Sequence, residues 1–193
     1  MDRFDEVRRA TARYREPWRA YHDELHLDEL KRHLLQAEHD GAGVVDGVAA
    51  YGFVVWHDAV YDPQAAPGRN EALSARLCRS ELATFAQPAS VERACQAILA
   101  TVRHELPVVD PSPDVALLLD CDLAILGAEP SRFAAYDAAI RQEYAHVPET
   151  VFAVRRAEVL AAFLRRPRLY LTGWAEVRWE ARARENLAPG AGR

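Results

Sequence analysis

Between Val44 and Val55 the chain is apolar on nearly every face, and the run leads straight into Trp56-His57-Asp58-Ala59-Val60-Tyr61. A helix that is apolar all round must be buried. This one is too short to cross a bilayer, which takes about 20 residues, so it is expected at the centre of a soluble core. A buried helix ending in His-Asp has to satisfy an imidazole and a carboxylate out of water. An unpaired buried carboxylate is costly and demands a cation or several donors. A divalent metal ion meets both demands at once. A core histidine hydrogen-bonded to its neighbouring aspartate meets them too.

A second run, Asp114 to Leu126, poses the same problem. Val115, Leu118, Leu119, Asp122, Ile125 and Leu126 fall on one helical stripe with a carboxylate in its middle. That carboxylate needs a metal ion, or an arginine or tyrosine from another helix. Asp120 lies two residues earlier, about 200° around the helix, so only one of the two aspartates can face a given neighbour. Asp120 is expected in a helix–helix hydrogen bond or in support of the ligands from outside.

Composition sets the frame. The 193 residues fit one domain, expected over 1–187, with a disordered tail at 188–193. Half the residues are hydrophobic, enough for a sizeable core. A net charge of -5 gives no electrostatic reason to expect nucleic acid as a partner. Cys78, Cys95 and Cys121 are odd in number and form no Cys-x-x-Cys pair, which suits a reducing, intracellular setting. The opening Met1-Asp2-Arg3-Phe4-Asp5-Glu6 is charged and unlike a secretory leader, so a cytoplasmic location without membrane attachment is expected. A homo-oligomer is compatible with all of this.

No stretch alternates as a strand does. Helices are expected over Asp2–Arg13 and Arg19–Glu38, from an Asn70 N-cap, and from a Ser90 N-cap towards His104. Further helices are expected from Glu129, over Glu149–Arg165, and around Trp174–Leu187. Gly127 is expected to stop the second apolar helix. The fold class is therefore an all-α bundle of about seven to nine helices. In the helix from Arg19, His22 and His26 are four apart and share a face, a spacing that suits metal ligation and equally a solvated polar stripe.

Seven ordered segments also resemble a known family. They are RAYHDELHL at 19–27, WHDAVYDP at 56–63, NEALSA at 70–75, ATVRHE at 100–105, LDCDLAILG at 119–127, IRQEYAHVP at 140–148 and ARENL at 183–187. Together they are similar to small stand-alone proteins described as predicted metal-dependent phosphohydrolases of the HD superfamily. His26, His57-Asp58 and Asp122 match that superfamily's H…HD…D pattern, and the resemblance spans about Arg19 to Leu187.

The resemblance implies an HD-domain-like fold with a divalent metal ion between its helices, held by His26, His57, Asp58 and Asp122. Two imidazoles and two carboxylates suit Mn, Fe, Co, Ni or Zn, with Mg as a further candidate. It also implies metal-activated hydrolysis of a phosphate bond in a small phosphorylated metabolite or nucleotide. In that picture Asp58 and Glu71 are the catalytic carboxylates, with Glu71 as general base or acid. Glu71 would serve its helix dipole equally well. Arg19 and Arg141 are candidate phosphate donors. Asn70, Tyr144, His22 and His104 are candidate substrate contacts or supports for the ligands. For each arginine an ion pair within the fold is an equal alternative, and Ser74 reads as packing.

Two other classes stand beside this one. A dinuclear-iron oxygenase of HD type needs extra histidines, and His22 and His104 are available. A regulatory module would bind metal or nucleotide without turnover. No Gly-rich phosphate loop is present, and a superfamily does not by itself fix the chemistry.

Overall fold

A computed structural model describes residues 10–108 and 111–188. All regular structure among these residues is helical, as the patterning implies. A helical turn ending at residue 12 passes into a 3-10 turn at Arg13–Arg15. Then follow α1 (Glu24–His39), α2 (Gly47–Trp56), α3 (Arg69–Leu82), α4 (Pro88–Ala100) and α5 (Pro113–Asp122). A 3-10 segment, Leu123–Gly127, continues α5, and α6 (Pro130–Glu143), α7 (Glu149–Leu164) and α8 (Gly173–Leu187) complete the bundle. No helix among the described residues is long and apolar enough to cross a membrane. The expected helix before residue 10, part of the turn before α5 and the expected tail after Ala188 lie outside the described residues.

The apolar α2 is the axis, packed against α1, α3, α4 and α5. Gly52 is the point of closest approach. A Cβ there would stand 2.6 Å from Leu82 Cδ2 and 2.9 Å from the Ala94 Cβ. The two apolar helices are tied at their N-termini. Asp46 accepts from the Ala49 N–H, and Asp114 reaches from α5 to accept from the Val45 and Asp46 N–H groups. Free N–H groups at the start of a buried helix are satisfied in this way.

Several boundaries differ from expectation, each for a local reason. The helix expected from Arg19 begins only at Glu24, because Asp23 caps the Leu25 and His26 N–H groups. Residues 16–23 form an irregular strap instead, so His22 and His26 do not share a helical face. Asn70 is not an N-cap. The helix starts after Gly68, in the left-handed conformation at φ 78°, and the Asn70 side chain instead bridges the N–H and carbonyl of Asp62. α4 starts at Pro88 after Gln87, two residues ahead of the expected Ser90 cap, using proline where no amide partner is needed.

Gly127 does not stop an α-helix. α5 has already tightened to 3-10 at Leu123, and Gly127 allows contact with α8: a Cβ would lie 2.8 Å from the Trp179 carbonyl oxygen. α7 carries no buried residue, and its Val151 and Val154 are exposed.

Candidate metal centre

α1 contributes His26 from its first turn, α2 delivers His57 and Asp58 just past its C-terminus, and α5 ends on Asp122. The Nε2 atoms of His26 and His57 are 3.0 Å apart. Asp58 Oδ2 lies 3.1 Å from His57 Nε2 and 3.9 Å from His26 Nε2. Asp122 Oδ1 lies 3.1 Å from His26 Nε2 and 3.6 Å from His57 Nε2. Neighbouring ligands held about 2.1 Å from an octahedral ion are themselves about 3 Å apart, so this spacing fits a divalent cation. His26, His57 and Asp58 each bring one ligand atom within 4.8 Å of the others. The imidazoles are buried at 3% and 1% side-chain exposure, while Asp58 and Asp122 keep 19% and 12% on the open side.

The tautomer of His57 is built in. Its Nδ1 lies 3.2 Å from the Phe53 carbonyl, one turn back on α2, and Phe53 stacks on the ring. Donation from Nδ1 turns the Nε2 lone pair towards the cluster, the arrangement usual for a metal-binding histidine. The two Nε2 atoms face each other at 3.0 Å, a contact that a proton on His57 relieves. Burial opposes that proton, but the Asp58 carboxylate, helped by Asp122 and the Phe53 carbonyl, holds His57 up at about 9. Burial likewise opposes charge on Asp58 and Asp122. The His57 imidazole nonetheless keeps Asp58 low, and hydrogen bonds from His104 and His26 keep Asp122 well below the usual carboxylate range. The site is therefore arranged for two anions facing a positive charge.

The 3-10 turn at Arg13–Arg15 and the strap after it brace the His-Asp turn. The Asp58 N–H donates to the Tyr14 hydroxyl oxygen at 3.1 Å, and Arg19 Nη1 donates to the Asp58 and His22 carbonyls at 2.9 Å each. Arg19 Nε pairs with Glu16, and its guanidinium is sandwiched near the Tyr14 and Tyr61 rings. It is buried with its donors spent on the Glu16 carboxylate and on backbone carbonyls, which is the alternative of an ion pair within the fold. It fixes the Asp58 backbone.

Arg141 takes the same alternative. It pairs with Glu149, donates to the Tyr144 and Val147 carbonyls and lies over Phe152, clamping the α6–α7 corner.

Glu143 is the residue that sequence reasoning missed. Its Oε1 accepts from the Ala20, Tyr21 and His22 N–H groups at 2.8–2.9 Å, and its Oε2 receives the Tyr61 hydroxyl at 2.7 Å and faces His22 Nδ1 at 2.8 Å. One buried carboxylate thus joins α6, the strap and the segment after His57-Asp58. Burial would raise its pKa, but His22 and the backbone donors bring it down to about 2. The same contacts keep His22 above its ordinary value, against the opposing effect of burial. Glu143 stands inside the segment IRQEYAHVP, but nothing in its spacing shows that it reaches back to residue 20.

A cavity of about 450 Å³ opens over Asp58 and Asp122. Of the candidate residues, it brings together His22, Asn70, Glu71, His104 and Tyr144 with these two aspartates. The Glu71 carboxylate has no hydrogen-bond partner among the described residues, whereas the Asn70 amide is committed to Asp62. His104, at φ 49°, places Nε2 2.9 Å from Asp122 Oδ2, so Asp122 faces His26 with one oxygen and His104 with the other. Ser74 both accepts from and donates to the Val60 backbone, a packing role. Asp120 is turned away and serves the start of α8. In comparisons with known proteins, no family model, no curated protein and no solved structure matches the chain.

Proposed function

We propose that the chain is a metal-dependent phosphohydrolase acting on a small phosphorylated metabolite, in keeping with its resemblance to the HD superfamily. The observation that carries this reading is that Asp58 Oδ2 and Asp122 Oδ1 each lie 3.1–3.9 Å from both His26 Nε2 and His57 Nε2, themselves 3.0 Å apart, beneath an open cavity. These four residues would hold a divalent ion, which supplies positive charge to phosphoryl oxygens and acidifies water. The hydrogen bond from His57 Nδ1 to Phe53 keeps that ring oriented. His104 orients Asp122 through its second oxygen. Glu71, on the cavity wall, takes a proton from the attacking water or gives one to the departing oxygen. Tyr144, Phe152 and Phe163 line the outer part of the cavity and shield the organic portion of the substrate from water.

The test is phosphate release from a set of phosphorylated metabolites by the full chain loaded with Mn, Fe, Co, Ni, Zn or Mg. Turnover should require the metal. Glu71→Gln should retain the metal and lose roughly 10²–10⁴-fold in rate. A normal rate in that variant would return Glu71 to a helix-terminal role. Ligand binding without any phosphate release would favour a regulatory module.

One observation supports a second reading. Asp122 presents one oxygen to His26 and the other to His104, so His104 would be the added histidine for a second metal ion. Two irons per chain, with dioxygen consumed and no phosphate released, would favour an oxygenase.

A further inference from the structure

The cavity over the candidate metal centre has a cationic wall that the reaction above leaves unused. Arg156, on α7, lines it together with Asp58, Glu71 and Asp122. Its Nε donates to Asp137 Oδ1 on α6 at 2.8 Å, and its guanidinium lies 4.9 Å over the Tyr136 ring. These contacts hold the guanidinium in place, with 12% of the side chain exposed. Its Nη2 is buried without a hydrogen bond of normal geometry among the described residues, although the Tyr136 hydroxyl also interacts with the guanidinium. A buried donor left unpaired is costly, more so on a charged group, and calls for an explanation in a native fold. Arg19 and Arg141, the arginines that the sequence singles out, have spent their donors on carbonyls and carboxylates.

We propose that Arg156 is the anion-binding residue of this cavity, with the Nη edge of its guanidinium directed to an oxygen of a phosphate group. The assignment of phosphate rests on the hydrolase reading; the anion site itself rests on Arg156. A guanidinium N–H to an anionic oxygen is a strong, charge-assisted bond, and guanidinium geometry suits phosphate. The surrounding Tyr136, Tyr144, Phe152 and Phe163 make the wall largely aromatic, so water competes weakly for that bond. Asp137 anchors Nε, so the donor is positioned before the anion arrives.

The test is calorimetric titration of the full chain with inorganic phosphate, with and without Mn²⁺, alongside a separate Mn²⁺ titration. R156Q should weaken phosphate binding roughly tenfold to a hundredfold, the scale for a hydrogen bond to a charged group, and leave Mn²⁺ affinity unchanged. R156K keeps the charge without the planar fork and should lose less. It also carries the test if R156Q loses its helical signal. R141Q should lower the melting temperature and keep phosphate affinity. Wild-type phosphate affinity in a folded R156Q or R156K would overturn the proposal, as would a wild-type chain that binds no phosphate with or without Mn²⁺. If the chain binds no Mn²⁺ but R156Q still loses phosphate, the anion site stands and the metal-dependent reaction falls.

Discussion

Asp120 and Asp122 are two residues apart and solve the cost of a buried carboxylate in opposite ways. Asp120 accepts from the Leu171 N–H, the Thr172 N–H and the Thr172 hydroxyl, each at 2.7 Å. Asp122 faces three histidines. Asp122→Asn should therefore weaken Mn²⁺ binding strongly, because an amide is a poorer ligand than a carboxylate. Asp120→Asn should keep Mn²⁺ binding and cost about 1–3 kcal/mol of stability through its disturbed donors. Parallel Mn²⁺ titrations and thermal melts separate the two, and the reverse pattern would show that the wrong aspartate has been assigned to the metal.

Glu143 gives a pH dependence. Its folded pKa is about 2 against an ordinary 4.5. A lowered pKa means the unfolded chain binds the proton more readily, so the stabilisation is present above about pH 4.5 and is lost as pH falls towards 2. Its size is on the order of 3 kcal/mol. Glu143→Gln should flatten the acid limb of a stability profile between pH 5 and pH 2, and an unchanged limb would mean that other carboxylates control it.

At the level of elements, α2 and α5 were legible because each is apolar all round and can only be buried. The candidate ligands were legible with them, since His57, Asp58 and Asp122 are polar groups at positions where the pattern demands burial. The strap was not legible, although the Asp23 cap is a local signal, because the group that takes the Ala20, Tyr21 and His22 N–H groups out of a helix is the distant Glu143 carboxylate. Glu143 and Arg156 were missed for a related reason. Their partners lie on other elements, and neither breaks an apolar pattern of its own helix. Gly52 carries an element-scale prediction. A Cβ there meets Leu82 and Ala94 too closely. Gly52→Ala should cost about 1–3 kcal/mol by overpacking, read as a lower denaturant midpoint. A stabilised variant would mean that α2, α3 and α4 can separate freely, against the tight packing described.

For the whole molecule, the candidate metal centre is where α1, the turn after α2 and the end of α5 meet, braced from outside by the strap and α6. An ion bound there would stabilise only the folded chain, so chelation should lower the melting temperature in proportion to the affinity it removes. The central claim is that His26, His57, Asp58 and Asp122 together hold one divalent ion. The most direct measurement is the metal content of the purified full chain after equilibration with Mn²⁺, compared with that of His57→Ala and Asp58→Ala. Close to one ion per chain is expected in the wild type and near-complete loss in both variants, with helical circular dichroism largely retained. Unchanged occupancy in both folded variants would contradict it.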